Sequence, residues 1–433
     1  MAAHANSDWL ARERQLLART MHRTDDPAFG PVIARGQGSR VWDVEGRAYL
    51  DLTCGYSAAN FGHAFEPLVR VACEQLQRLT HVTGLPHPGR ASLAERLVRT
   101  CGGHSSDKVI FNTSGSRAVE SAWKAAVSFR PGKVVSLSPA YHGRSLSTAA
   151  LSDTPRIATL QSFDQFVVRR PAHEFAYCAA CPLALTYPSC DVACQRSLLQ
   201  WLEQEAPRIS AIIVEPALGA RGYIVPPLEY WQRIRELTAR HGILMVADEI
   251  QMGLGRAGGW LLSRAQGWQA DLVVLGKSLG GGISPISAVV GRAEVLDAVP
   301  AGTESETFAA SPLATAVACE VHRQLETGPW FDRANHIGRI LANALSQSAL
   351  FRSSNVPPPG IETCGASATL EFIRCTPDVT DAAALARRMA DRFVRAGLLI
   401  HYSGPYATRI VLLPALTITD EELAEVTDRC AAA

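Results

Sequence analysis

The middle of the chain alternates short runs of branched aliphatic residues with longer amphipathic segments. From about residue 107 to 291 these runs have the length and composition of buried strands. The segment 227–240 has apolar residues at helical spacing and is soon followed by Gly242, a common way to end a helix. Strands that alternate with helices predict an α/β fold class with a mainly parallel sheet and helices on both faces. The predicted strands are Val109–Asn112, Val134–Ser138, Ala211–Val214, Ile243–Ala247 and Leu272–Leu275.

The first sixty residues show a different pattern. Residues 8–22 have helical spacing and predict an N-terminal arm, and Val41–Leu52 predicts a β-hairpin. The next segment, residues 54–63, packs small residues around Tyr56 and Phe61. It is either the wall of a pocket or a loop packed on the core.

The C-terminal part of the chain predicts a second, smaller α/β domain. Residues 316–345 have a helical pattern, and Thr419 with Glu422 makes a capping box at the start of the last helix. The other elements expected there are the strands Ala368–Ile373, Leu398–Tyr402 and Arg409–Leu413 and the helices Asp381–Ala396 and Asp420–Cys430.

The composition indicates a folded chain with a large core, because 47% of its 433 residues are apolar and only 19% are charged. The net charge of +1 gives no reason to expect nucleic acid or an anionic membrane as a partner. No apolar run reaches the roughly 20 residues of a membrane helix, and the polar N-terminus lacks the apolar segment of a secretion signal. Eleven scattered cysteines favour reduced thiols and a cytoplasmic protein over a disulfide framework.

Two of the predicted strands are followed by a single charged residue. Asp248 comes directly after Ile243–Ala247, and Lys277 lies just past Leu272–Leu275. Neighbouring carboxyl ends of parallel strands are where open α/β sheets bind ligands. A lysine screened from water forms a Schiff base, and an opposed carboxylate keeps a pyridine nitrogen protonated. These are the two groups that pyridoxal phosphate (PLP) needs from a protein. The alternative is a pair of surface charges at strand ends.

Gly253, Gly255 and Gly258 spell the G-x-G-x-x-G dinucleotide fingerprint, but in the wrong context. In that motif the first glycine follows its strand directly and the third opens a helix. Here residues 248–252 separate the strand from the first glycine, and Asp271, the nearest downstream acid, begins a strand. We therefore expect no nicotinamide cofactor.

A further ligand contact is expected after the strand Val109–Asn112. The small-residue turn 113–116 (TSGS) leads into a helical segment, so free backbone N–H groups and serine hydroxyls form an anion site. The alternative is a serine that only caps the helix. Tyr141 follows the strand 134–138, and an aromatic ring in that place is able to lie on a flat ligand ring.

Four cysteines lie close together in the chain, with the spacing C-x2-C-x8-C-x3-C. Thiols at such short intervals match a zinc or iron–sulfur site. The interval of eight residues is short for a zinc ribbon, however, and free thiols in a folded insert are the alternative. We expect no metal at these residues, which are Cys178, Cys181, Cys190 and Cys194.

With these features placed, the sequence resembles the class III aminotransferases of the fold type I PLP enzymes. The likeness runs from about residue 29 to 428, and its most specific part is VADEIQMGLGRAGGW (246–260) followed by DLVVLGKSLGGG (271–282). It implies a seven-stranded-type, mainly parallel sheet in a large domain and a homodimer with shared active sites. The domain bounds that we expect are 1–60 for the N-terminal arm and part of the small domain, 61–315 for the large PLP-binding domain and 316–433 for the C-terminal small domain.

The resemblance also implies roles for single residues. Lys277 would carry the cofactor as a Schiff base, Asp248 would pair with the pyridinium nitrogen, and Gln251 would lie near the phenolic oxygen. Further cofactor contacts implied by the family are Ser114, Gly115 and Ser116 at the phosphate turn, Tyr141 on the ring, His142 beside it, Glu215, and Thr307 on the phosphate of the neighbouring subunit. Glu215 and Arg409 match positions that handle the substrate carboxylate, often as a switchable pair. The residues that we expect to shape the substrate pocket are Tyr56, Phe61, Tyr141 and Arg221.

The chain departs from the family pattern near the cofactor. Arg117 stands where a glutamate usually follows the phosphate turn, and a cation there opposes the helix dipole unless an anion compensates it. Glu304 and Ser311 replace a frequent histidine and asparagine around the threonine segment, and Ser284 lengthens the segment after the glycines. These changes leave the cofactor assignment in place but put the donor and acceptor specificity in doubt.

The expected reaction is amino transfer between an amino acid or amine and a 2-oxo acid by a ping-pong scheme, with Lys277 as general base and acid. The alternatives on the same scaffold are a racemase or epimerase and a dialkylglycine-type decarboxylase, because local geometry selects the bond that PLP breaks. A regulatory protein on a disabled scaffold is disfavoured, since both Lys277 and Asp248 are present. The sequence does not name the substrate.

Overall fold

The computed structural model describes residues 6–18, 21, 31–153, 165–181, 183–347, 360–376, 378–403 and 407–432. The strands in these residues are β1 (Ile33–Gln37), β2 (Arg40–Asp43), β3 (Ala48–Asp51), β4 (Lys108–Asn112), β5 (Lys133–Leu137), β6 (Val167–Arg170), β7 (Ile209–Val214), β8 (Leu244–Asp248), β9 (Leu272–Leu275), β10 (Ser287–Gly291), β11 (Gly360–Thr363), β12 (Ala368–Glu371), β13 (Leu398–Leu399), β14 (His401–Ser403) and β15 (Arg409–Leu412). The α-helices are α1 (Asn6–Leu16), α2 (Cys54–Ser57), α3 (Glu66–Arg78), α4 (Pro88–Cys101), α5 (Gly115–Phe129), α6 (Leu146–Leu151), α7 (Arg196–Glu205), α8 (Leu228–His241), α9 (Leu262–Ala265), α10 (Ala293–Leu296), α11 (Pro312–Thr327), α12 (Trp330–Ser346), α13 (Val379–Arg395) and α14 (Asp420–Ala432).

A seven-stranded sheet forms the centre of the molecule, in the order β4-β10-β9-β8-β7-β5-β6. The five strands from β9 to β6 are parallel, and β10 runs antiparallel to both of its neighbours. Every residue of β7, β8 and β9 is buried, as expected of parallel strands covered on both faces. The predicted α/β class and mainly parallel sheet are confirmed.

Helices cover both faces of this sheet. On one face α8 turns Trp231, Ile234 and Leu237 into the core, and it ends at Gly242, whose φ of +64° is the left-handed conformation of a glycine cap. On the other face α5 packs alanines, including Ala118 and Ala122, against β7, β8 and β9. Small residues on α5 allow the helix to lie close to the sheet, and its N-terminus therefore sits at the carboxyl ends of the strands.

Two four-stranded sheets are built by the two ends of the chain. The N-terminal hairpin of β2 and β3 is extended by β13, which runs parallel to β3 and pairs Leu398 with Leu50. The second sheet has the order β11-β12-β15-β14. The wholly buried guanidinium of Arg256 links these parts, since it donates to Oδ1 of Asn60 and to the carbonyls of Ala366 and Pro414.

The C-terminal predictions need two corrections. The expected strand Leu398–Tyr402 is two short strands, because the chain leaves one sheet after Leu399 and joins the other at His401. The expected strand Ala368–Ile373 ends at Glu371 and turns into a 3₁₀ turn. The capping box is confirmed, since the backbone N–H of Glu422 donates to Thr419 Oγ1 and that of Thr419 to Glu422 Oε2, both at 3.1 Å.

Two helix predictions also change in detail. The N-terminal helix ends at Leu16, and part of the predicted segment 8–22 lies outside the described residues. The helical segment 316–345 belongs to two helices, α11 and α12, which Gly328 and Pro329 separate. Within the described residues, no helix is both long enough and apolar enough to cross a membrane.

Candidate active site

Asp248 and Lys277 lie at the carboxyl ends of two adjacent parallel strands. Asp248 is the last residue of β8, and Lys277 follows β9 after Gly276. The Lys277 amine donates to Oε1 of Gln251 at 3.2 Å. Lys277 has a φ of +39°, a conformation that a lysine adopts only when its surroundings impose it. The fold therefore brings together the amine, carboxylate and amide that the sequence selected.

The surroundings of Lys277 favour a neutral amine. Burial lowers the pKa of Lys277, and the positive charge of Arg144 lowers it further, against the opposing effect of Asp248 and Glu215. A neutral amine has a free lone pair, which is the form that attacks a carbonyl carbon and accepts a proton.

Asp248 is held by the buried imidazole of His142. Nδ1 of His142 donates to Oδ2 of Asp248 at 2.9 Å, and the backbone N–H of Ile250 donates to Oδ1 at 3.2 Å. Burial by itself would lower the pKa of His142, but the hydrogen bond and the charge of Asp248 outweigh it and raise that pKa. The raised pKa of His142 favours a protonated imidazole beside the Asp248 carboxylate. Nε2 of His142 is buried without a hydrogen-bond partner among the described residues.

The turn 113–116 and the start of α5 have the arrangement expected of an anion site. The helix begins at Gly115, and its first backbone N–H groups point out of its N-terminus toward the strand ends. A Cβ atom on Gly115 would lie 2.8 Å from Cδ1 of Ile250, so a larger residue there would push that side chain aside. The Ser116 hydroxyl accepts from the backbone N–H of Arg144 at 3.2 Å, so this turn is tied to the segment of Tyr141 and His142.

Ser114 caps the helix as well as belonging to this turn. Its hydroxyl accepts a long hydrogen bond, 3.4 Å, from the backbone N–H of Arg117. The two interpretations of the turn, a helix cap and an anion site, are therefore compatible.

The unusual cation at Arg117 is compensated by carboxylates of the same chain. Its guanidinium donates to Glu306 at 3.0 Å and to Glu120 at 2.6 Å. Glu306 also accepts from the backbone N–H and the hydroxyl of Thr113, at 3.2 and 2.8 Å. Glu306 directly precedes Thr307, so this ion pair ties the threonine segment to the phosphate turn. This role of Glu306 was not predictable from a local pattern, because it lies 189 positions after Arg117 in the chain.

Tyr141 and Glu215 connect two strand ends. The backbone N–H of Tyr141 donates to Oε1 of Glu215 at 2.8 Å, and that of Gly219 donates to Oε2 at 3.0 Å. Burial raises the pKa of Glu215 to about 7. Both carboxylate oxygens of Glu215 thus hold the backbone around the site.

The expectation that Arg409 pairs with Glu215 is wrong. Arg409 is wholly buried, and it donates to Glu371 at 2.6 Å, to Glu362 at 2.9 Å and to the Gly222 carbonyl at 2.8 Å. Its Nε also donates to the hydroxyl of Tyr177 at 3.2 Å. Glu371 lies directly opposite Arg409 across β12 and β15, which gives it the shorter path to the guanidinium.

Phe61 and Tyr56 differ in what they contact. Phe61 is a core residue, only 1% exposed, and stacks on Phe65 with Trp330 at its edge. The interpretation of Phe61 as part of a pocket wall is therefore wrong. Tyr56 is partly exposed and stacks on His401 with 3.8 Å between the ring centroids.

Tyr223 belongs to this site although the sequence analysis missed it. Its hydroxyl accepts from Nε2 of Gln251 at 3.1 Å and lies 3.0 Å from the hydroxyl of Ser57. It thereby fixes the amide that faces Lys277. No local pattern around residue 223 marks this contact, because both partners come from distant segments.

The four clustered cysteines line one small cavity beside Tyr177, and all eleven cysteines are free thiols. Burial and the three neighbouring thiols raise the pKa of Cys194 to about 11. Among the described residues, no group of three or more His, Cys, Asp or Glu side chains is arranged to hold a metal ion.

The glycines at 253, 255 and 258 form a compact turn. Gly255 and Gly258 have φ values of +97° and +79°, and the next helix, α9, begins only at Leu262 and has four residues. This geometry lacks the helix N-terminus that binds a dinucleotide. The turn instead carries the buried Arg256.

The model of the family "Aminotransferase class-III" matches residues 20–433. The chain belongs to this family. It is 32% identical to the 5-aminovalerate aminotransferase DavT of Pseudomonas aeruginosa, over 91% of each chain. It is 31% identical to the 4-aminobutyrate aminotransferase GabT of Escherichia coli, over 97% of this chain and 96% of that one. A crystal structure of ornithine aminotransferase from Toxoplasma gondii superposes with a TM-score of 0.82 at 27% identity, covering 99% of this chain and 94% of the other.

This class III aminotransferase uses PLP, and its residues fit that cofactor. The site offers an amine, an ionised carboxylate and an amide together with a helix N-terminus flanked by serine hydroxyls. In PLP the amine matches the carbonyl group, the carboxylate matches the ring nitrogen, and the amide matches the phenolic oxygen. The helix N-terminus with its serine hydroxyls matches the phosphate. The relatives named above are aminotransferases, which supports amino transfer as the reaction of this chain.

Proposed function

We propose that Lys277 and Asp248 are the catalytic residues of a ping-pong transfer between an amino acid or amine and a 2-oxo acid. The observation that supports this proposal is the meeting of the Lys277 amine with Gln251, and of Asp248 with His142, at adjacent strand ends. When bound, PLP supplies an electron sink that acidifies the carbon bearing the substrate amine.

Each residue then has a distinct task. Nζ of Lys277, with its lowered pKa, would take the proton from the substrate carbon and deliver it to the C4′ carbon of the cofactor. Asp248, stabilised by His142, holds a proton on the ring nitrogen. Gln251, oriented by Tyr223, would bind the phenolic oxygen. The residues proposed to hold the remainder of the cofactor are Ser114, Gly115, Ser116, Tyr141, His142 and Glu215.

We propose a homodimer in which Thr307 reaches the phosphate site of the partner subunit. The motif around Thr307 supports this assignment, and so does the exposed ring of Phe308 beside it. We also propose a cytoplasmic location, which eleven free thiols favour. The proposed domain bounds remain 1–60, 61–315 and 316–433.

Borohydride reduction followed by peptide mapping tests the role of Lys277. We expect a phosphopyridoxyl group on residue 277, and none in Lys277→Ala. A Lys277→Ala variant that keeps its transaminase activity would contradict the assignment. The substrate is best sought by pairing pyruvate, 2-oxoglutarate and glyoxylate with terminal amines. The names of the relatives suggest 4-aminobutyrate, 5-aminovalerate and ornithine as first donors.

A further inference from the structure

All three guanidinium nitrogens of Arg409 already donate to partners within the fold. Two carboxylates, a carbonyl and a phenol hydroxyl take up its guanidinium, and none of that side chain is exposed. The positive charge of Arg409 is already balanced by Glu371, at 2.6 Å, and by Glu362, at 2.9 Å. Removing either partner to admit a substrate would leave a buried charge without its counter-ion, which is costly.

Arg221, in the turn between β7 and α8, is in the opposite situation. Its Nε donates to the carbonyl of Pro139 at 3.0 Å. Among the described residues, its two terminal nitrogens have no hydrogen-bond or ion-pair partner. The residue is only partly exposed, so its guanidinium is a cation that has lost water without gaining an anion.

The carboxylates around Arg221 are committed elsewhere. Glu215 holds the backbone N–H groups of Tyr141 and Gly219, and Asp153 accepts from the Ser138 hydroxyl. Both are near enough to act on Arg221 through their charge, but neither forms an ion pair with it. Burial lowers the pKa of Arg221, which is the sign of a cation that is poorly compensated.

Arg221 lies close to the residues that we propose to bind the cofactor. Its contact, Pro139, lies two residues before Tyr141, and the charge of Glu215 acts on both Arg221 and Lys277. The backbone of Gly222, the next residue, is the part of this turn that Arg409 holds in place. Arg409 thus positions the turn, and Arg221 is left with free donors.

We infer that Arg221, and not Arg409, binds the carboxylate of the amino-acid or 2-oxo-acid substrate. A guanidinium with two free terminal nitrogens presents parallel N–H donors that match a carboxylate. The substrate class is therefore a carboxylic acid whose anionic group reaches the 219–222 turn while its reacting carbon is at Lys277. This inference rests on the proposed function of Lys277.

Acceptors with and without a carboxylate test this inference on the full-length, PLP-loaded enzyme. The amino form of the enzyme is reacted with pyruvate or with propanal, and KM and kcat are measured for each. In Arg221→Gln we expect KM for pyruvate to rise about tenfold or more, with a smaller rise in Arg221→Lys. KM for propanal should change by less than about twofold, because propanal has no group for the guanidinium to bind.

Variants of two other arginines that are alternative candidates for binding the carboxylate serve as controls. Arg409→Lys keeps a buried cation, and Arg144→Gln removes the guanidinium 5.7 Å from the ring of Tyr141. We expect both to retain the wild-type ratio of the two KM values. A ratio lost in either of them but kept in Arg221→Gln overturns the inference, and so does an Arg221→Gln enzyme that keeps the wild-type KM for pyruvate. A protein in which borohydride fixes no cofactor at residue 277 would instead contradict the proposed function itself.

Discussion

Nδ1 of His142 lies 2.9 Å from Oδ2 of Asp248, with both side chains buried beneath the site. The hydrogen bond orients the carboxylate that is to hold the cofactor nitrogen, and the raised pKa of His142 favours a protonated imidazole behind it. Replacing Asp248 by asparagine keeps the shape but removes the charge. We expect Asp248→Asn to lower kcat by about 100-fold or more, measured in a single-turnover reaction with the cofactor in excess.

His142→Gln is the companion variant, since it keeps a donor but cannot carry a positive charge. We expect a smaller loss of kcat, about tenfold, because the Asp248 carboxylate loses the imidazole that orients it. An Asp248→Asn enzyme within threefold of the wild-type kcat would contradict the role of this carboxylate.

Glu306 should make stability depend on pH in the acid range. Burial alone would raise its pKa, but hydrogen bonds from Asn112, Thr113 and Arg117 outweigh burial and hold it below the ordinary 4.5. A carboxyl group whose pKa is lowered by folding stabilises the folded protein fully above pH 4.5, the pKa of the unfolded state. This stabilisation is lost as the pH falls through the pKa of the folded state. We expect Glu306→Gln to lower Tm by about 3 °C at pH 7, and the gap to the wild type to close below pH 4.5.

The partly exposed Glu205, which pairs with the exposed Arg208 on the surface, is the control for this experiment. Glu205→Gln should show almost no Tm change at either pH, because exposed ion pairs contribute little. A gap for Glu306→Gln that stays constant from pH 7 to pH 3.5 would refute the expected linkage.

Arg256 should be a major contributor to stability. Its substitution by methionine leaves Asn60 Oδ1 and the carbonyls of Ala366 and Pro414 buried without their donor. We expect Arg256→Met to destabilise the fold by about 3 kcal/mol or more, because three buried acceptors lose their donor, seen as a lower midpoint in denaturant unfolding, and Arg256→Lys to lose less. A midpoint unchanged in Arg256→Met would show that the three acceptors find other donors.

The thiols should differ in reactivity according to their burial. Cys73 and Cys178 are exposed, whereas burial raises the pKa of Cys101 to about 12. We expect iodoacetamide at pH 8 to label Cys73 and Cys178 first and to leave Cys101 unmodified in the folded protein, as read by mass spectrometry. Metal analysis should find less than one equivalent of zinc or iron, and a full equivalent would contradict our expectation for the cluster around Cys194.

The amino-acid sequence by itself determined the central strands and the charged residues that follow them. Strands covered on both faces must be apolar throughout, so β8 and β9 appear as unbroken aliphatic runs, and the first polar residues mark where they end. Asp248 and Lys277 were identifiable for this reason. The family resemblance added the phosphate turn, because its small residues are contiguous.

Only the tertiary structure decided which ion pairs form. Arg409 meets Glu371 because β12 and β15 are in register, and Arg117 meets Glu306 across 189 residues of chain. Such contacts depend on strand pairing and loop packing between segments that are far apart in the sequence. The local hydrophobic pattern therefore does not predict them. The fold thereby occupies Arg409 and leaves the terminal nitrogens of Arg221 free among the described residues, a difference that two arginines in a sequence do not display.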